Sequence, residues 1–76
     1  MHERVVIDPQ IQHGKPVIRG TRVPVARVIG GLAGGMTPEE VCQEYDIEEA
    51  DLRAALRYAA ELIDAEQVYP LPPSAA

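Results

Sequence analysis

Four consecutive residues, Thr37-Pro38-Glu39-Glu40, constrain what this chain can fold into more than any others do. A threonine hydroxyl ahead of a helix accepts a first-turn amide, and a glutamate three residues later reaches back to the threonine's own amide. Proline at the first helical position loses no hydrogen bond, and acids there face the positive end of the helix dipole. A helix is therefore predicted to start at Pro38, with Val41, Cys42 and Tyr45 on its inner face. Gly34-Gly35 just upstream ends whatever helix precedes it.

That preceding helix opens at Pro24, with Val25, Val28, Ile29 and Leu32 at i, i+3, i+4 and i+7 forming one apolar stripe. After Asp46-Ile47 a third helix is expected from near Glu48. It carries Leu52, Ala55, Leu56, Ala59, Leu62 and Ile63 on one side and Arg53, Arg57, Glu61 and Asp64 on the other. Two helices joined by so short a turn make a helix-turn-helix-like corner.

The first part of the chain reads differently. Arg4 to Ile7 is a short β-branched run stopped by Asp8-Pro9, and Ile11 is expected to tuck back onto the core. Pro16 to Ile18 and Thr21 to Val23 are two further β-prone pieces around Arg19-Gly20, where a glycine takes positive φ without steric cost. Pro16 and Pro24 cannot donate to a ladder, which keeps these strands short or at an edge. The expected fold is mainly α, a three-helix helix-turn-helix-like core, homeodomain-like or winged-helix-like, with a short N-terminal β-hairpin. One domain is expected over residues 1–67, followed by a Pro-rich flexible tail over 68–76, where three prolines fall within nine residues.

An aliphatic core without Phe or Trp in a chain of 76 residues is thin, which points to a homodimer or a bound partner. The single cysteine, Cys42, rules out an internal disulfide and reads as a small core residue. No apolar run is long enough to span a bilayer and Met1 to Ile7 lacks a signal-peptide core, so a cytoplasmic location is expected, with no membrane partner. The net charge of −5 hides a split. Met1 to Gly35 holds five basic residues against two acids, +3; Met36 to Ala76 holds two arginines against ten acids, −8. The first half can meet an acidic surface.

Little in the chain suits catalysis. Metal-dependent or acid/base chemistry needs converging carboxylates or imidazoles, whereas His2 lies near the terminus, His13 lies in a loop, and most acids stand at helix starts where capping explains them. Gly14-Lys15 lacks the earlier glycine of a phosphate loop, and Pro16 stands where a magnesium-binding Ser or Thr belongs. No enzymatic activity, metal or cofactor is expected. Binding DNA through the helix corner would bring Glu48, Glu49 and Asp51 against phosphates, so core scaffolding is the simpler reading of that corner. Basic residues available for DNA are Arg4, Arg27, Arg53 and Arg57, with Lys15, Arg19 and Arg22.

The strips "GKPVIRGTRVPV", "GGLAGGMTPEEVCQEY" and "LRAALRYAAELI" together resemble the small prokaryotic domain of unknown function numbered 433, over about Val5 to Ile63. Gly14, Lys15, Pro16, Ile18, Gly20, Thr21 and Arg22 stand at that family's motif positions. His13 replaces a frequent small residue, and Glu48 replaces a frequent Ser or Thr cap. The resemblance implies a helix-turn-helix relative that acts as an antitoxin, binding and neutralising a PIN-like ribonuclease toxin, with its own operator DNA as a second ligand. A stand-alone helix-turn-helix DNA-binding transcriptional regulator is the alternative, and an adaptor module without a nuclease partner is a third.

Nucleases of that type hold a divalent metal among clustered carboxylates, and an arginine fork pairs bidentately with carboxylates. Lys15, Arg19 and Arg22 are the expected partner-binding residues, while Gly14, Pro16, Ile18, Gly20, Thr21 and Pro24 set the backbone shape. Arg22 and Thr21 have an equally good structural reading, in which they bond within the domain and fix the hairpin to the helices. Arg19 and Lys15 look freer.

Overall fold

The structure is a computed structural model and describes residues 3–65; the tail expected over 68–76 lies outside the described residues. It contains strands β1 (Val5–Ile7) and β2 (Pro16–Ile18) and helices α1 (Val25–Ala33), α2 (Pro38–Tyr45) and α3 (Glu49–Ala65). The chain is mainly helical with an N-terminal antiparallel pair, as the sequence implies.

The pair has different arms from those expected. β1 runs against β2 in the register Val5↔Ile18, Val6↔Val17 and Ile7↔Pro16. The Thr21–Val23 arm is reduced to a single bridge between Val17 and Pro24 and one amide of Ile18 donating to the Val23 carbonyl. The cause is local: Thr21 Oγ1 donates to the Ile18 carbonyl and accepts the Val23 amide, so it uses up groups that a ladder would need. The turn itself is as expected, with the Thr21 amide bonded to the Ile18 carbonyl and Gly20 at φ 78°, the positive value a type II turn requires at its third residue.

Between β1 and β2, Asp8 Oδ1 accepts the Gln10 amide, and a 3-10 turn over Gln12–Gly14 follows with Gln12 and His13 both at positive φ. Pro24 caps α1 rather than entering it, its carbonyl accepting the Arg27 and Val28 amides. The full capping box forms at α2: Thr37 Oγ1 accepts the Glu40 amide at 3.1 Å, and Glu40 Oε1 accepts the Thr37 amide at 2.8 Å.

α2 ends at Asp46 in the left-handed conformation, and Ile47 drops into the core before α3 begins. At that start Asp51 Oδ2 accepts the Glu48 amide, giving α3 the reciprocal half of a capping box despite the glutamate at the cap itself.

Val5, Ile18, Val25, Val28, Val41, Ile47, Leu52 and Ala55 form the core. Ile29, Leu32, Cys42, Tyr45 and Tyr58 pack around it. α3 departs from expectation past Ala55. Leu52 and Ala55 are buried, but Leu56, Leu62 and Ile63, on the side expected to face inward, are exposed.

Candidate functional site

β2 and the turn after it sort the strip from Lys15 to Val25 into two sets. Val17, Ile18, Pro24 and Val25 are buried, and Pro16, Thr21 and Val23 are half-buried. Lys15, Arg19, Gly20 and Arg22 face solvent. The basic residues stand outside β2 itself, Lys15 just before it and Arg19 and Arg22 in and after the turn that follows, so the strip displays them while its apolar members are anchored.

The three basic groups are held differently. Arg19 is anchored at both ends: its amide donates to the Arg4 carbonyl at 2.7 Å and its Nε donates to the Glu3 carbonyl. Thr21 is a turn residue through the two bonds of its hydroxyl described above. Among the described residues, the side chains of Lys15 and Arg22 make no hydrogen bond or ion pair. Lys15 is fixed by its backbone, whose amide donates to the Gln12 carbonyl at the end of the 3-10 turn. Of the two arginines on the turn, then, Arg19 is the tied one and Arg22 the open one. The sequence could not show this, because the partner of Arg19 is a backbone carbonyl sixteen residues away.

A second basic group lies elsewhere. Arg4, Arg53 and Arg57 line one open groove between the start of β1 and the outer side of α3, together with Glu3 and Glu61. Two of these arginines already meet carboxylates: Arg4 Nη1 lies 2.9 Å from Asp51 Oδ1, and Arg53 Nη2 lies 2.7 Å from Glu49 Oε1 one turn back. The hydrogen bond to Asp51 raises the Arg4 pKa above the ordinary guanidinium value. Arg27 is exposed on α1 and does not line this groove.

Cys42 is half-buried beside Pro38, Glu39, Gln43, Ile47 and Glu49. Burial pushes its thiol pKa up, and the nearby carboxylates of Glu49, Asp51 and Glu39 push the same way. Among the described residues no group of three or more His, Cys, Asp or Glu is arranged to hold a metal ion. No helix among them is long and apolar enough to cross a membrane.

Sequence reasoning missed two further features. Asp51 serves both α3 and Arg4, and its signal was an acid three residues after Glu48. The exposure of Leu56, Leu62 and Ile63 had no signal, since helical periodicity does not reveal which part of an apolar stripe another element covers.

Comparison with known proteins places this geometry. Over 52 residues the chain is 42% identical to the protein named "Putative antitoxin VapB45" from Mycobacterium tuberculosis, a match that covers 68% of this chain and 22% of that protein. The crystal structure of Rv2018 from Mycobacterium tuberculosis superposes with a TM-score of 0.63 at 42% identity, over 68% of this chain and 24% of that one. A DUF433 member protein from Anabaena variabilis superposes with a TM-score of 0.75 at 27% identity, over 80% of this chain and 61% of that one. The chain thus spans under a quarter of the length of the Mycobacterium tuberculosis relatives and less than two thirds of the Anabaena variabilis protein. The family model described as a protein of unknown function, DUF433, matches residues 5–59, from the first residue of β1 to well into α3, and the chain belongs to the DUF433 family.

Proposed function

We propose that this chain is the antitoxin of a toxin–antitoxin pair, a cytoplasmic, non-enzymatic and homodimeric protein that binds and neutralises a PIN-like ribonuclease through the basic edge of β2. The observation that carries this reading is that Lys15 and Arg22 face solvent with no partner among the described residues, on a strip whose apolar residues are locked into the core. A guanidinium and an ammonium held on a rigid edge suit a cluster of carboxylates emptied of its metal, the arginine by its planar fork and the lysine as a point charge. Arg19 flanks them and keeps the edge in place. The name of the 42% identical relative supports an antitoxin role.

Co-expression with a PIN-like ribonuclease, sought in the adjacent open reading frame, tests the reading. The two proteins are expected to co-purify with ribonuclease activity suppressed, and a Lys15→Ala/Arg22→Ala double variant is expected to keep its helicity and lose suppression. A folded double variant that suppresses as well as the wild type sinks the proposal.

Binding of operator DNA, either by the antitoxin or by a stand-alone helix-turn-helix regulator, is the second reading. It is favoured by the convergence of Arg4, Arg53 and Arg57 on one groove. Acids surround that groove, so affinity there depends on how far phosphates displace the existing ion pairs. A gel shift that weakens steeply with salt and is lost in Arg53→Ala/Arg57→Ala supports it, because phosphate contacts release counterions.

A further inference from the structure

Past Ala55, α3 carries apolar surface that stays exposed among the described residues. The helix runs 17 residues, and its buried positions, Leu52 and Ala55, both fall in the first half. Beyond them Leu56, Leu62 and Ile63 are 42%, 52% and 64% exposed. Ala59, half-buried, and Ala60, exposed, lie between them. Leu52, Leu56, Ala59 and Ile63 recur at i, i+4, i+7 and i+11, so the stripe that enters the core continues past its edge. Leu62 borders it on one side.

We infer that this face is covered by the same face of a second copy of the chain, the two α3 helices packing antiparallel about a two-fold axis at the Ala59–Ala60 midpoint. The inference rests on the homodimer in the reading above and adds its location. Three properties of the face favour a copy of itself. Reversing the helix about that midpoint brings Leu56 opposite Ile63 of the second copy, and the reverse pair forms by symmetry, as an isologous contact requires. The two small residues at the axis let the helices approach closely, which large side chains there would prevent.

The charges beside the stripe are also self-complementary in this direction only. Arg57 and Asp64 lie on the same flank, seven positions apart. In the antiparallel pair each Arg57 falls within about 3 Å, measured along the axis, of the level of Asp64 of the second copy, at 1.5 Å rise per residue. Among the described residues the Arg57 side chain has no hydrogen bond or ion pair. A parallel pair would set Asp64 against Asp64 and Arg57 against Arg57. Lys15 and Arg22 are not among the residues of this face.

Sedimentation of the full chain over a dilution series tests the inference. The wild type is expected to have twice the 8.3 kDa chain mass at the higher concentrations. Ile63→Glu is expected to bring it to a single chain mass with the helical circular dichroism retained, and Leu56→Lys repeats the test if Ile63→Glu does not fold. Arg57→Asp and Asp64→Arg are each expected to raise the dissociation constant about tenfold, and the double swap to restore it. A wild type of single chain mass throughout, or a folded Ile63→Glu variant that remains dimeric, overturns the inference. So does a monomer that gains mass only with the nuclease and loses it in Ile63→Glu, which would give the face to the toxin. These outcomes are separable from failure of the antitoxin reading, because Lys15→Ala/Arg22→Ala leaves the α3 face intact.

Discussion

Arg4 and Asp51, 47 positions apart, meet at 2.9 Å between Nη1 and Oδ1, while the other oxygen of the same carboxylate accepts the Glu48 amide at the start of α3. One side chain thus closes the first turn of the last helix and fastens the first strand to it. Asp51→Ala removes both bonds, and loss of the cap alone is worth about 1 kcal/mol, which lowers the melting temperature by roughly 4–8 °C in a domain of this size. Arg4→Ala removes only the ion pair, at an exposed position, and is expected to shift melting less than Asp51→Ala. Thermal unfolding of the two variants checks the order, and equal shifts would mean that the cap contributes nothing.

Arg19 and Arg22 differ in what holds them, so they separate in their effects. Arg19→Ala loses the bond to the Glu3 carbonyl and is expected to destabilise the fold by about 0.5–1.5 kcal/mol. Arg22→Ala touches no described partner and is expected to stay within about 0.5 kcal/mol of the wild type in urea unfolding. The opposite ranking would overturn the assignment of the anchored and the open arginine.

Adjacent glycines in α1 give a second contrast. A Cβ at Gly30 meets nothing within 4 Å, whereas one at Gly31 falls 3.2 Å from Met36 Sδ and 3.3 Å from Val41 Cγ2. Gly30→Ala is expected to stabilise by up to about 1 kcal/mol through helix propensity. Gly31→Ala gains the same propensity but crowds the α1–α2 contact, so its melting temperature is expected to lie below that of Gly30→Ala.

The Cys42 thiol, with its pKa raised by burial and then by Glu49, Asp51 and Glu39, is expected to react sluggishly. The sign follows from linkage. The folded state holds the proton to higher pH than the unfolded state does, so the contribution of this group to stability is present below the ordinary thiol pKa and is lost as pH rises through the folded value. Alkylation by iodoacetamide at mildly alkaline pH should be slower in the native protein than in urea, and a native rate equal to the unfolded one would remove the effect.

What the sequence made legible was local. The box at Thr37, the apolar stripe of α1 and the positive φ of Gly20 each depend on residues within a few positions of one another, and all three stand in the structure. The partner of β2 was not legible in this way. Val5–Ile7 and Thr21–Val23 are equally β-prone, and the choice is made by the Thr21 hydroxyl occupying one arm and by α3 packing against the other. At the candidate site the division between shape and display followed from the pattern of Pro16, Gly20, Thr21 and Pro24. The anchoring of Arg19 did not, because it depends on where the Glu3 carbonyl lies after folding.

The contact of β1 with α3 also bears on how quickly the molecule assembles. β1 with β2, α1 with α2 and α2 with α3 are neighbours along the chain, and each such contact closes only a short loop. Joining Val5 and Arg4 to α3 requires the chain to circle back over more than forty residues, the largest loss of chain entropy in the fold. Since loop closure must precede the contacts that repay it, docking of the first strand onto the last helix is the step expected to set the folding rate. The helical part can then form ahead of it, and weakening Arg4 or Val5 should slow refolding more than the same loss of stability taken from Thr37.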